Sequence, residues 1–243
     1  MNEKASIGDV LREAILPEKV NFLGIQVDPA FYTAIGVSAL LILFAVIFRL
    51  FIFPRFKTVP GKFQTAIEMV VGFFANLAEG NSPEFPAVIG AYAFGAGVYV
   101  FFGTCAELLG FRPVFVDINA GLAMGFCAFF LLLGAGIRRN GASGLISAAK
   151  EFSMPFSMAF RLFGALTSGL IATELIYSGF AVLKYSVVLP IFVGLMFTLL
   201  HAVMQTYVYT MLTSMFYGEV TEKHEKKKKK KKARKSSAEE QAA

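Results

Sequence analysis

Five long apolar stretches constrain the fold of this chain more than any other feature. Each runs for about 20 residues or more with few charges, the length that an α-helix needs to cross roughly 30 Å of hydrocarbon. Because 56% of the residues are hydrophobic and only 16% are charged, a soluble fold would expose too much apolar surface. The sequence therefore predicts an all-α polytopic membrane protein with one membrane domain. The predicted transmembrane helices are residues 31–53, 87–109, 119–137, 145–180 and 186–217.

Residues 63–79 form a sixth predicted helix, which is amphipathic. A charged face is costly to bury in lipid, so we expect this helix to lie in the membrane interface instead of crossing the bilayer. Its apolar side carries Phe63, Ile67, Val70, Phe74 and Leu77, and its polar side carries Gln64, Glu68, Asn76 and Glu79.

The last two apolar segments, 145–180 and 186–217, are unusually long. At ~1.5 Å per residue, a helix of about 35 residues measures on the order of 50 Å, much more than a perpendicular crossing requires. We therefore expect these two helices to be strongly tilted, bent or extended into water. The short link around Lys184 makes them an antiparallel hairpin.

Basic residues cluster after the first, third and fifth predicted spans. Short cytoplasmic loops retain Lys and Arg, so five crossings put all three clusters on the cytoplasmic side and the amino terminus outside. We expect an extracytoplasmic segment at 1–30, the membrane domain at 31–218 and a Lys-rich cytoplasmic tail at 219–243. The clusters are Arg49, Arg55, Lys57 and Lys62, then Arg138, Arg139 and Lys150, and finally the tail.

The last 23 residues carry the whole net charge of +6, because residues 226–232 are all lysine and residues 1–220 are balanced. A block of like charge repels itself and is most often a solvated, disordered end. The alternative interpretation is contact with anionic lipid headgroups or with an acidic partner. No nucleic-acid partner is expected.

Arg161 is the most informative single residue. It lies ten positions beyond Glu151 and thirteen before Glu174, with apolar and small residues between. An arginine at a helix centre costs about 2.5 to 3.5 kcal/mol even on insertion scales, and it stays charged because its pKa is above ~12. The alternative is an arginine that faces lipid or pairs with an acid at one end of a tilted helix. The functional interpretation is a fixed positive charge in an ion path.

Small residues follow Arg161 at helical spacing. A stripe of small side chains lets membrane helices approach closely, so we expect a partner backbone to pass near the arginine. The stripe consists of Ala165, Ser168, Gly169 and Ala172.

The last predicted helix carries a polar stripe at steps of three or four residues: Thr198, His201, Gln205 and Tyr209. A polar stripe in lipid needs a partner or water. Folding the hairpin about its link brings Gln205 to about the depth of Arg161, and His201 to about that of Ala165. Alternatively, Gln205 and His201 only form bonds between helices.

Glu174 lies about 20 Å from Arg161 along the same predicted helix. An acid at that distance can serve a separate, outer water-filled pocket. The alternative is a carboxylate at the outer membrane face.

Several short motifs occur together in a fixed order over most of residues 30–218. They are Val59-Pro60-Gly61-Lys62-Phe63-Gln64, Asp117-Ile118-Asn119, Pro155, Phe160-Arg161-Leu162-Phe163-Gly164, and Gln205 with an aromatic residue two positions later. In this joint order the motifs resemble bacterial subunit a of F-type ATP synthases, a resemblance that excludes the first 28 residues and the tail.

The resemblance implies that Arg161 faces the ring of c subunits, separates two aqueous half-channels, and helps to strip the ion from each rotor carboxylate. It implies that Gln205 supports the arginine. We further expect H⁺ or Na⁺ to enter from outside past Asp117, Asn119 and Glu174, with Ser168 on the helix face that carries Arg161. The implied partners are the c-ring, b-type peripheral stalk subunits, the remaining Fo and F1 subunits and membrane lipids, in a bacterial plasma membrane.

The chain departs from the family pattern at two positions. Ala165 stands where the family has Asn, and Leu170 stands where it has Glu or His. As a hypothesis, His201 replaces the missing amide and Glu174 replaces the missing acid.

A different class of function is a secondary ion-coupled transporter, which predicts inverted repeats and paired broken helices near the midplane. The sequence has no such repeat. A purely structural scaffold is disfavoured by Arg161. With no P-loop, metal cluster or nucleophile triad in the sequence, no cofactor is expected, and nucleotide chemistry would belong to partner subunits.

Overall fold

The computed structural model describes residues 20–22, 25–82, 86–182 and 188–221. The described part is almost entirely helical, which confirms the predicted all-α membrane fold. The expected extracytoplasmic segment up to residue 19 and the lysine tail from residue 222 lie outside the described residues. The main elements are β1 (Val20–Phe22), β2 (Ile25–Val27), α1 (Pro29–Ile47), α2 (Lys62–Asn81), α3 (Pro86–Cys105), α4 (Ile118–Asn140), α5 (Ala142–Lys150), α6 (Met154–Val182) and α7 (Val188–Thr221).

Five described helical stretches are long and apolar enough to cross a membrane, which confirms the predicted number of spans. Helix α2 is not among them. It packs instead on α3 and α7, where its buried Phe74 ring lies against Gly97. The five stretches are Pro29–Arg55, Ala87–Leu109, Ile118–Asn140, Ala142–Thr173 and Ile191–Thr221.

The chain enters α1 through a small antiparallel hairpin of β1 and β2, an addition to the predicted helices. Asp28 then caps α1 by accepting a hydrogen bond from the Ala30 N–H at 2.8 Å. At its other end α1 widens into a π turn, Phe48–Ile52, before Pro54, which has no N–H to continue the helical ladder. The guanidinium of Arg49 lies 4.6 Å from the centre of the Phe53 ring.

The fourth predicted span is two helices instead of one. Helix α5 ends at Lys150, and α6 begins only at Met154 after a turn. Pro155 is the physical reason, since it lacks an N–H and its ring clashes with the carbonyl four residues earlier. The prediction of one helix over 145–180 was therefore wrong at this point. Helix α6 has 29 residues and α7 has 34, so both remain longer than a perpendicular crossing.

Glycines of α4 bring its backbone close to α5 and α6. A Cβ atom placed on Gly121 would lie 3.3 Å from the Cα of Ala159, and one on Gly125 would lie 2.9 Å from the Cα of Pro155. Close backbone approach at small residues is the usual way in which membrane helices gain packing contacts. The first two turns of α6 are therefore held directly against the amino-terminal half of α4.

Side-chain bonds mark two opposite ends of the helix bundle. At one end Arg112, in the loop after α3, forms a salt bridge of 3.3 Å with Asp28. At the other end, the Ser82 hydroxyl donates to the Ser214 carbonyl at 2.6 Å, and the Asn140 amide donates to the Val220 carbonyl at 3.2 Å. Arg138 and Arg139 therefore lie at the end of the bundle where α7 finishes.

Candidate functional site

Arg161 lies on the outward side of α6. The inward side of this helix buries Met158, Ala159, Leu162 and Leu166 against the rest of the bundle. Arg161 is exposed, and its side chain forms no hydrogen bond or ion pair with any residue that the structure describes. This arginine is therefore a charge on the lateral surface of an apolar bundle.

The surface around Arg161 is made of small residues and one aromatic ring. Phe160 is exposed, and a Cβ atom placed on Gly164 would have no described atom within 4 Å. The exposed Ser168 satisfies its own hydroxyl by donating to the Ala165 carbonyl at 2.9 Å. We call the surface formed by Phe160, Arg161, Gly164 and Ser168 the arginine face. It is shallow enough for another helix to approach the guanidinium.

Gly169 does not belong to this face, although the predicted stripe included it. It is buried, and the ring of His201 packs over it, with Nε2 3.7 Å from the position of a glycine Cβ. The predicted register placed His201 opposite Ala165, one helical turn closer to Arg161. A Cβ atom at 169 would be in ordinary van der Waals contact with the imidazole, so this position accommodates the ring with a small residue.

The imidazole of His201 is held by its own helix. Its Nδ1 lies 3.2 Å from the carbonyl oxygen of Phe197, so the tautomer that makes this bond carries its proton on Nδ1. The ring also packs on Phe197, with centroids 4.5 Å apart. Nε2 then points across to α6.

Gln205 lies one turn further along α7 and is half-buried. Its amide has no hydrogen-bond partner among the described residues, and no bond joins it to Arg161. The amide therefore remains available to an ion, to water or to a partner chain.

The rest of the predicted polar stripe on α7 points into the bundle. Thr198 and Tyr209 are buried. The Tyr209 hydroxyl donates to the Met124 carbonyl on α4 at 2.9 Å and lies 2.8 Å from the Tyr92 hydroxyl on α3. The stripe is thus divided between contacts with α6 and contacts with α3 and α4. Nothing in the sequence motifs singled out Tyr92 as its partner.

Asp117 and Asn119 lie where α4 begins. Asp117 caps the helix, because its Oδ1 accepts from both the backbone N–H and the side-chain amide of Asn119 at 2.9 Å. Since Gly121 touches Ala159, this helix start lies beside the α6 turn that leads to Arg161. Asp117 and Asn119 therefore lie at about the same depth in the bundle as Arg161. The cap uses only Oδ1 of Asp117, so Oδ2 takes no part in it.

Glu174 lies in α6, but its side chain is outside the described residues. Two further charged residues near the ends of helices, Asp28 and Arg112, were not among the predicted site residues. Asp28 directly before Pro29 is a typical helix cap, whereas its salt bridge to Arg112 joins parts of the chain that no local pattern connects.

Contact between the guanidinium of Arg161 and lipid tails carries an energetic cost. Insertion scales put that cost at about 2.5 to 3.5 kcal/mol, and simulations of an isolated helix put it at roughly 10 to 17 kcal/mol. A carboxylate or water brought by a partner lowers this penalty. The arrangement is therefore suited to a transient ion pair with an acidic group outside this chain.

Comparison with known proteins identifies the family of this chain. A family model described as ATP synthase A chain matches residues 34–218, which include α2 to α6 and most of α1 and α7. The subunit a of ATP synthase from Actinobacillus pleuropneumoniae serotype 3 is 27% identical over 244 residues, covering 80% of this chain and 88% of that protein. The corresponding protein of Rhodospirillum rubrum is 28% identical over 196 residues, covering 70% and 80%.

The subunit a of ATP synthase from Sulfurihydrogenibium is 26% identical over 202 residues, covering 72% of this chain and 90% of that protein. The match thus spans the membrane helices, the Arg161 segment and Gln205, in agreement with the resemblance seen in the motifs. This chain belongs to the ATP synthase A chain family and is an all-α, multi-pass integral membrane protein.

Proposed function

We propose that this chain is the stator subunit that passes H⁺ or Na⁺ to and from a rotating c-ring, with Arg161 as the fixed charge between two aqueous half-channels. One observation carries the proposal. Arg161 is exposed on an apolar helix and has no partner among the described residues. A buried salt bridge within the chain would neutralise the charge permanently and remove it from exchange with a rotor.

The energetics favour an exchangeable pair over a permanent one. Two unit charges 4 Å apart interact by about 4 kcal/mol at an effective dielectric constant of 20. A charge that crosses the full membrane potential gains about 2.3 kcal/mol per 100 mV. These energies are comparable, so a rotor carboxylate can pair with Arg161 and leave again as it receives an ion.

The ion would enter near the start of α4, past Asp117 and Asn119, and near Glu174. Support comes from the contact between Gly121 and Ala159, which puts the start of α4 beside the α6 turn before Arg161. The ion would neutralise a rotor carboxylate, travel almost a full turn and leave on the cytoplasmic side. Arg161 prevents a direct leak by repelling cations.

The orientation that we propose has the amino terminus outside and the lysine tail in the cytoplasm. It is supported by Arg138 and Arg139, which lie at the end of the bundle where α7 finishes. The c-ring would cover the arginine face. Peripheral stalk subunits of the b type and the other Fo and F1 subunits would complete the assembly.

A photo-crosslinking experiment tests whether the c-ring covers the arginine face. We expect benzoylphenylalanine in place of Phe160 to crosslink to the c subunit in the assembled complex. The same substitution of Phe44 on α1 is the matched control, because the two rings are 60% and 61% exposed. A crosslink from position 44 to the c subunit, with none from position 160, would contradict the proposed face.

The two replacements for the missing family residues form a separate prediction. Glu174→Gln removes a charge from the proposed outer pocket, and His201→Ala removes the imidazole that packs over Gly169. Each is expected to slow ATP-driven ion pumping by about threefold to tenfold, the range that loss of one hydrogen bond worth about 0.5 to 1.5 kcal/mol would produce. Pumping by membrane vesicles measures this, with Thr198→Val as the control for a buried polar residue on α7. Wild-type rates in both variants would reduce Glu174 and His201 to packing residues.

A further inference from the structure

Helix α7 carries a buried hydrogen-bonded group that the proposed ion path does not use. It consists of the Tyr209 hydroxyl, the Tyr92 hydroxyl and the carbonyl oxygen of Met124. We call these three groups the tyrosine latch. It joins α7 to α3 and α4 in the interior of the bundle, where an unpaired hydroxyl would be costly.

The direction of the two bonds follows from the chemistry of the groups. A carbonyl oxygen can only accept, so Tyr209 donates its one proton to Met124 at 2.9 Å. The Tyr209 oxygen must then accept the proton of Tyr92 at 2.8 Å. Tyr209 therefore takes part in both bonds of the latch, whereas Tyr92 takes part in one.

The tyrosine latch lies one helical turn after Gln205. One turn before Gln205, His201 packs on Gly169 of α6. Gln205 is thus bracketed by a contact to α6 on one side and by the latch to α3 and α4 on the other. Thr206, next to Gln205, adds a long bond of 3.4 Å to the Gly97 carbonyl on α3.

Apolar packing holds two membrane helices together but resists sliding along their axes weakly, since lipid tails are as apolar as the side chains. Hydrogen bonds are directional, and their strength falls steeply with distance and angle. The latch bonds therefore fix the position of α7 along its axis at the turn that follows Gln205.

We propose that the tyrosine latch positions Gln205 relative to Arg161 while the rotor exerts force on α6 and α7. Tyr209 is the main positioning residue, and Tyr92 supports it. This inference rests on the proposed ion path. It predicts that loss of the latch slows transport in each assembled complex, because the Gln205 amide no longer stays at its place.

Phenylalanine substitutions test the latch, because they remove only the hydroxyl. In the assembled complex, Tyr209→Phe is expected to lower the rate of ion-driven ATP synthesis by about threefold or more, the size of effect that loss of interhelical hydrogen bonds gives. Tyr92→Phe should have a smaller effect. The double variant should be no slower than Tyr209→Phe alone, since Tyr92 has no latch bond left to lose. Tyr207→Phe is the matched control, because Tyr207 is exposed on the same helix.

A double-mutant cycle with Gln205→Asn separates positioning from simple stability. If Tyr209 acts through Gln205, the effects of Tyr209→Phe and Gln205→Asn on the rate per complex will be less than additive. Additive effects, or an effect of Tyr209→Phe only on the amount of assembled complex, would overturn the inference. Normal synthesis with Arg161→Ala would instead overturn the proposed function, so the two failures are distinguishable.

Discussion

Replacement of Arg161 by alanine is expected to abolish ion-driven ATP synthesis, with a loss of at least ~100-fold. The physical reason is the loss of a charge interaction of about 4 kcal/mol with the rotor carboxylate. Each factor of ten in rate corresponds to about 1.4 kcal/mol. The barrier to a direct ion leak is lost at the same time. ATP synthesis by inverted vesicles under an imposed ion gradient measures the effect, and immunoblotting of the membranes measures insertion.

Two substitutions serve as controls for this prediction. Arg161→Lys keeps the charge but loses the planar fork, so it should retain only part of the activity. Arg49→Gln removes another exposed arginine, one that already contacts the Phe53 ring at the end of α1, and it should leave synthesis close to normal. Normal synthesis with Arg161→Ala in inserted protein would disprove the central role of this residue.

Substitution of Gly125 by valine is expected to prevent stable folding of the subunit. A Cβ atom at this position would lie 2.5 Å from the carbonyl oxygen of Pro155 and 2.9 Å from its Cα. Both atoms belong to backbone that cannot move away without separating α6 from α4. The cost is expected to be about 3 kcal/mol or more, at the upper end of the range for overpacked cores. Thermal unfolding in detergent and the amount of subunit in the membrane measure the loss.

Gly134→Val on the same helix is the matched control. Gly134 is exposed, and a Cβ atom there would have no described atom within 4 Å. Both substitutions place the same β-branched side chain in α4, so any difference between them reports packing and not helix propensity. Equal stability of the two variants would show that α4 and α6 are not held together at Gly125.

Much of the architecture could be predicted from local patterns. The five spans follow from the lengths of apolar sequence, and the stop at Pro54 and the cap at Asp117 follow from the chemistry of single residues. Pro155 gave the same kind of signal and marks the break between α5 and α6. The prediction of one continuous helix there was wrong because it followed the apolar composition of residues 145–180 and gave too little weight to the proline.

The candidate site was predicted less completely. Arg161 stands out because its charge has no compensating neighbour in the sequence. The turn of α7 that faces it could not be deduced in the same way. His201 packs on Gly169 instead of beside Ala165, and Tyr209 turns towards Met124.

The sequence by itself determined how many stretches of this protein are long and apolar enough to span a membrane, and that one arginine is left without a local partner. Only the tertiary structure decided how each helix is rotated and which residues share a depth. The reason is physical. In a soluble helix, polar residues mark the face that meets water, but lipid and protein core are equally apolar, so the apolar residues of α6 and α7 do not show which face meets the bundle. Their rotation is set instead by close contacts at glycines and by single hydrogen bonds between distant parts of the chain.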